Sequence, residues 1–256
     1  MIQGIESFRN WFSDYGGQYA IIGGTACDLL MSEAGLSFRA TKDIDMVLIV
    51  ESLTPEFGAR FWSYIIDGNY EHRNKSTGEP QFYRFSNPTS RHYPWMIELF
   101  SRQSPAIDVW EGTVLTPLPF DGEVSSLSAI LMDEDYYRLL LDGKVLVDGI
   151  SLPDIGHLIP LKAKAWLDLS ARKAAGENVD GKDIKKHKND IFRLSTLLSG
   201  EMRVMLPDSV YADMTAFLYA MEAEPLDPVK LSIRRQTKEE LLGRLGAVYI
   251  KKADGG

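Results

Sequence analysis

The chain has 256 residues, 45% hydrophobic and 25% charged, the balance of an ordinary globular protein with room for one large or two small domains. Its formal net charge of −8 argues against a dedicated nucleic-acid scaffold, which would be basic, but not against a local basic surface. No apolar run approaches the roughly 18 residues of a membrane span, so none is expected. The only cysteine, Cys27, excludes an intrachain disulfide and fits a reducing, cytoplasmic setting.

Residues 2–14 predict a short amphipathic helix, with Ile2, Ile5, Phe8, Trp11 and Phe12 on one side. Glu6, Arg9 and Asp14 interrupt it, so it does not read as a secretory leader. Gly16-Gly17 ends it, and residues 18–22 form a strand candidate that Gly23-Gly24 breaks. Thr25 is placed to cap a helix running to about Ser32. Cys27 lies in the apolar pattern of that helix and reads as a buried small side chain rather than a nucleophile. Residues 43–50 predict a buried strand, and Pro55 suits the first turn of a helix ending near Ile66. Residues 81–86 and 95–100 predict two more strands, joined by a turn rich in Pro, Ser and Asn. Strand-like pieces follow at 106–115 and 136–152, with Asp142-Gly143 as a hairpin turn signal.

After Pro153 the pattern becomes helical, at 155–175, 183–198, 209–221 and 237–248. The expected fold class is therefore α/β: a mixed sheet with helices over residues 1–153, then a helical region over residues 154–256.

Asp43 and Asp45 carry the strongest chemical signal. Alternate residues of a strand share a face, so two carboxylates lie side by side at the head of an apolar strand and repel. A divalent metal between them relieves that repulsion. A second apolar strand, Met96-Ile97-Glu98-Leu99-Phe100, holds an acid that is costly to bury unless paired or metal-bound. If this strand lies beside the first, Glu98 supplies a third carboxylate, and such a trio around magnesium suits phosphoryl transfer; otherwise Glu98 faces solvent. Gly23-Gly24-Thr25 permits close backbone approach to a phosphate at a helix N-terminus. Arg39 and Lys42 flank the acids and either neutralise them or touch phosphate. Two basic runs, Lys182 to Lys188 and Arg234, Arg235 with Lys238, read as solvated helix faces or as surfaces for an anionic partner.

Gly23-Gly24-Thr25-Ala26, Arg39, Thr41 and Asp43-Ile44-Asp45 together resemble the nucleotidyltransferase superfamily, and in this form its AbiEii-type branch, toxins of abortive-infection and toxin–antitoxin systems. Lys162-Ala163-Lys164-Ala165-Trp166-Leu167 resembles the Lys-containing helix of that branch, and Lys186-His187-Lys188-Asn189-Asp190-Ile191 its later acidic segment, with His187 where an acid is usual. The resemblance spans residues 19–194; nothing beyond about residue 200 takes part in it.

The resemblance implies transfer of a nucleoside monophosphate from a nucleoside triphosphate such as ATP to an acceptor, either RNA (tRNA in particular) or a protein, with an antitoxin as a further partner and no membrane. Asp43, Asp45 and Glu98 would hold magnesium or manganese, and Glu98 alternatively serve as base. Gly23, Gly24, Thr25 and Arg39 would bind nucleotide. Lys162 would reach the triphosphate, and Asp190 would position that lysine or the acceptor. Lys162 and Lys164 lie on an otherwise apolar helix, where each is either drawn inward or extends to solvent. Two further readings share the same core: a small-molecule, antibiotic-type nucleotidyltransferase, and a nucleotide-binding module without turnover.

Overall fold

The computed structural model describes residues 2–72, 84–101, 107–110, 113–115, 130 and 133–252. It divides into two compact units, one of Met1–Met132 with Lys144–Pro153, the other of Asp133–Gly143 with Asp154–Gly256. The first is a mixed α/β structure and the second is mainly helical.

In the first unit, α1 (Ile5–Phe12) leads into β1 (Tyr19–Ile22), α2 (Gly23–Glu33), β2 (Asp43–Leu48) and α3 (Pro55–Asp67). The strands β3 (Arg84–Ser86) and β4 (Met96–Ser101) complete a four-stranded sheet in the order β1-β2-β4-β3. The central pair β2/β4 is parallel, and both outer strands are antiparallel to their neighbours. Strands β5 (Ile107–Trp110) and β6 (Thr113–Leu115) pair with each other, as do β7 (Lys144–Val147) and β8 (Ile150–Pro153). A cluster of fully buried aromatic rings, Phe8, Phe12, Tyr19, Phe57, Phe61 and Tyr64, packs α1 and α3 against the sheet.

The second unit begins with α4 (Glu134–Asp142) and continues with α5 (Ile155–Ala174), α6 (Gly181–Ser195), α7 (Asp208–Ala223) and α8 (Lys238–Val248). Strands β9 (Val204–Leu206) and β10 (Tyr249–Lys251) form a small parallel pair. Helices α4, α5, α6 and α8 start on side-chain caps: Asp133, Asp154 and Asp180 each accept first-turn amides, and Thr237 forms a capping box with Glu240.

Three expectations are corrected. Residues 134–142 are helical, not strand: Asp133 caps them, and Tyr136, Tyr137 and Leu140 bury one helical face. The hairpin lies one Asp-Gly later, at Asp148-Gly149, where both residues have positive φ, as a two-residue hairpin turn requires. Thr25 is not the N-cap of α2, which starts at Gly23; its hydroxyl instead donates to the Asp43 carbonyl at 2.6 Å. The part of the 81–86 strand before Arg84 lies outside the described residues. Among the described residues no helix is long and apolar enough to cross a membrane.

Candidate active site

The predicted residues form two groups, one in each unit. In the first, β2 places Asp43 and Asp45 on one sheet face, both half-buried, while Ile44 and Met46 point into the core. The parallel register sets Asp45 opposite Glu98 on β4, and Glu98 opposite Arg84 on β3. Residues in register project to the same face, so Asp45, Glu98 and Arg84 form a row across the sheet.

Gly23 explains why the acids lie close to α2. Its φ is +68°, which favours glycine, and a Cβ there would fall 1.8 Å from Asp45 Oδ2. The Asp45 carboxylate thus rests on the first residue of a helix whose N-cap, Ile22, supplies no side-chain cap. A carboxylate at this end complements the helix dipole. Gly24 is equally specific, since a Cβ would lie 3.0 Å from the Arg39 guanidinium and 3.0 Å from Thr41 Oγ1. Burial raises the pKa of Asp28 on the same helix, and the nearby Arg39 charge works against that shift. With the Thr25–Asp43 hydrogen bond, the glycine turn, Arg39, Thr41 and both aspartates form one connected surface.

Two details were not anticipated. Arg84 Nε donates to Glu98 Oε1 at 2.6 Å, and the arginine is half-exposed whereas the glutamate is mostly covered. The three-residue strand that delivers Arg84 carries too little pattern to reveal this partner. Lys42 lies 4.8 Å from the centroid of the Trp95 ring, a cation–π contact. Among the described residues, no three or more His, Cys, Asp or Glu side chains are grouped as a metal site.

In the second unit, Lys162 on α5 and Asp190 on α6 meet at 3.1 Å, with side-chain exposures of 5% and 0%. Arg193 approaches the other Asp190 oxygen at 3.8 Å; the i,i+3 spacing of that acid and base is the signal that would have found it. Lys162 is thus drawn inward, whereas Lys164 stays part-exposed between Asp168 and Asp213. The basic runs are less open than their sequence suggests. Lys188 is buried and bonds Glu224 at 2.6 Å, and Lys238 donates to the Glu222 and Glu224 carbonyls at the end of α7. Cys27 is buried, its thiol donating to the Gly23 carbonyl.

Comparison with family models, with curated proteins and with solved structures finds no match to this chain.

Proposed function

We propose that the first unit is the catalytic core of a metal-dependent nucleotidyltransferase. The observation that carries this reading is the Asp45 carboxylate seated on Gly23 at the start of α2, with Asp43 beside it on the strand. A phosphate-binding turn and a pair of hard oxygen donors then face the same space, which is what a nucleotide triphosphate with its cation requires.

Asp43 and Asp45 suit a divalent cation by donor type, with Glu98 the next carboxylate in the row. Arg84 engages one Glu98 oxygen and so competes with its use as a ligand. When bound, magnesium or manganese supplies charge neutralisation for the triphosphate. The protein's own part is to bind and orient. The amides at Gly23 and Gly24 and the Arg39 guanidinium hold phosphate oxygens. The acceptor hydroxyl oxygen bonds to the α-phosphorus, the bridging α–β P–O bond breaks, and pyrophosphate leaves. Glu98, when not a ligand, accepts the hydroxyl proton. The resemblance of the motifs extends the proposal to the acceptor, a tRNA or protein hydroxyl, and to a toxin restrained by an antitoxin.

The Arg84–Glu98 pair favours one second reading, a nucleotide-binding module without turnover, because it engages the carboxylate that catalysis needs. Incubation with magnesium, α-labelled nucleoside triphosphates and either RNA or protein acceptors separates the two. The first reading predicts label transfer with pyrophosphate release, reduced on the order of 10³-fold or more by Asp45→Ala, and growth arrest on expression that the same substitution relieves. Nucleotide binding without transfer to any acceptor supports the second.

A further inference from the structure

Within the second unit, α5, α6 and the segment after α7 line a cavity of about 740 Å³, in the size range of small-ligand pockets. Its charge runs against that of the chain. Lys173, Lys185, Lys188, Arg193 and Lys230 line it with only two carboxylates, Glu224 and Asp227, giving five minus two, or +3, in a protein of net charge −8. Lys188 is paired with Glu224 at 2.6 Å, Lys230 with Asp227 at 3.3 Å and Arg193, more loosely, with Asp190 at 3.8 Å. Among the described residues Lys173 and Lys185 pair with no carboxylate. The Lys173 ammonium lies against the first residue of α6, where a Cβ on Gly181 would be 2.6 Å away. Asp180 caps this helix end through the Lys182 amide, so the charge left for an anion to meet is that of the Lys173 ammonium.

The rest of the lining suits a ligand with an apolar part. Ile184, Leu226 and Leu231 contribute apolar wall, and Trp166 lines the cavity while only 7% exposed. Its Nε1 is buried with no hydrogen-bond partner among the described residues. The same holds for Ser170 Oγ, and Ser170 shares the face of α5 that carries Trp166 and Lys173, four residues from one and three from the other. Buried polar atoms of this kind cost stability until a partner satisfies them.

We propose that this cavity binds a small organic phosphate, its phosphate against Lys173, Lys185 and Arg193 and its apolar or planar part against Ile184, Leu226 and Leu231 beside Trp166. The concave volume and the acidity of the whole chain favour a small ligand over a polynucleotide. The site is built from the second unit alone, needs no metal, and stands whether or not the first unit is a transferase.

The test uses the full chain in excess chelator, with adenosine 5′-monophosphate as probe and adenosine and inorganic phosphate as its separate halves. Calorimetry should show one site that prefers the intact probe to either half, with a tryptophan fluorescence change that Trp166→Phe abolishes. Reversing the two exposed lysines, Lys173→Glu with Lys185→Glu, should weaken binding by at least about tenfold, while Asp45→Asn leaves it unchanged. No binding below about 1 mM would overturn the proposal. So would probe binding that Asp45→Asn removes and the lysine reversals spare, or lysine-dependent binding of a single-stranded RNA oligonucleotide but not of the probe.

Discussion

The two groups of predicted residues place charge in opposite ways. In the first unit, Asp43 and Asp45 sit half-buried at the start of a central strand, held by a glycine contact and a backbone hydrogen bond. In the second, Lys162 and Asp190 are buried in a helical core, where Asp190 meets both Lys162 and Arg193. Two carboxylates on one strand face suit a cation, whereas an acid beside a buried base has its counter-charge in place. A buried ion pair is weak evidence for stabilisation in itself, yet breaking one is costly because the survivor is left charged in a poor solvent.

The contrast can be broken by substitution. Asp190→Ala should cost the most stability, about 3–5 kcal/mol, because Lys162 and Arg193 both lose a buried carboxylate; denaturant unfolding measures it. The paired change Lys162→Met with Asp190→Leu should recover most of the loss. If the recovered protein also keeps any transfer activity, Lys162 serves only architecture; if stability returns without activity, it reaches substrate as well.

Gly23→Ala should come next. The strained φ alone costs about 1–3 kcal/mol, and the new methyl displaces the Asp45 carboxylate. Affinity for manganese and nucleotide should fall together with Tm, whereas an equivalent change at Gly17, where an added Cβ meets nothing within 4 Å, should alter neither. Arg84→Ala should act more gently and in the opposite sense. Freeing Glu98 raises manganese affinity by a few-fold, on the order of 1 kcal/mol for a part-exposed pair; unchanged affinity would place Glu98 outside the metal site.

The smallest effect concerns pH. Burial works to raise the Asp154 carboxyl, but bonds from His157 and from backbone amides outweigh it and hold the carboxyl below its ordinary value of 3.8. A depressed folded pKa means that this stabilisation is present above pH 3.8 and is lost as pH falls through the folded value. Asp154→Asn keeps an N-cap for α5, so neutral-pH stability should fall by less than about 1 kcal/mol. Its acid unfolding curve should be shallower than that of the parent protein, with no difference between the two at the acid end.

Much of the first site was legible because strand chemistry is local. Period-two alternation places Asp43 and Asp45 on one face before any coordinate is known, and Gly23-Gly24 marks the turn that meets them. What was not legible depends on pairing across distance. Glu98 needed the parallel β2/β4 register to become the neighbour of Asp45, and Arg84 needed the antiparallel β3/β4 register to meet Glu98. Residues 134–142 misled because Tyr136-Tyr137 and Leu139 to Leu141 make an apolar run that suits a strand as well as a helix, and the Asp133 cap decides between them. The β9/β10 pair joins segments more than forty residues apart through three residues each, too short a signal to read. Lys162 and Asp190 meet because α5 and α6 pack face to face; the sequence alone left each a choice between core and solvent.

The central claim is that Asp43 and Asp45 hold a divalent cation beside a nucleotide. Electron paramagnetic resonance of manganese titrated into the protein with a non-hydrolysable nucleoside triphosphate tests it directly. The account predicts bound manganese that requires the nucleotide for full affinity and is lost in Asp45→Asn, while Lys173→Glu with Lys185→Glu leaves it in place. Manganese bound equally well by Asp45→Asn, or by neither protein, would contradict it.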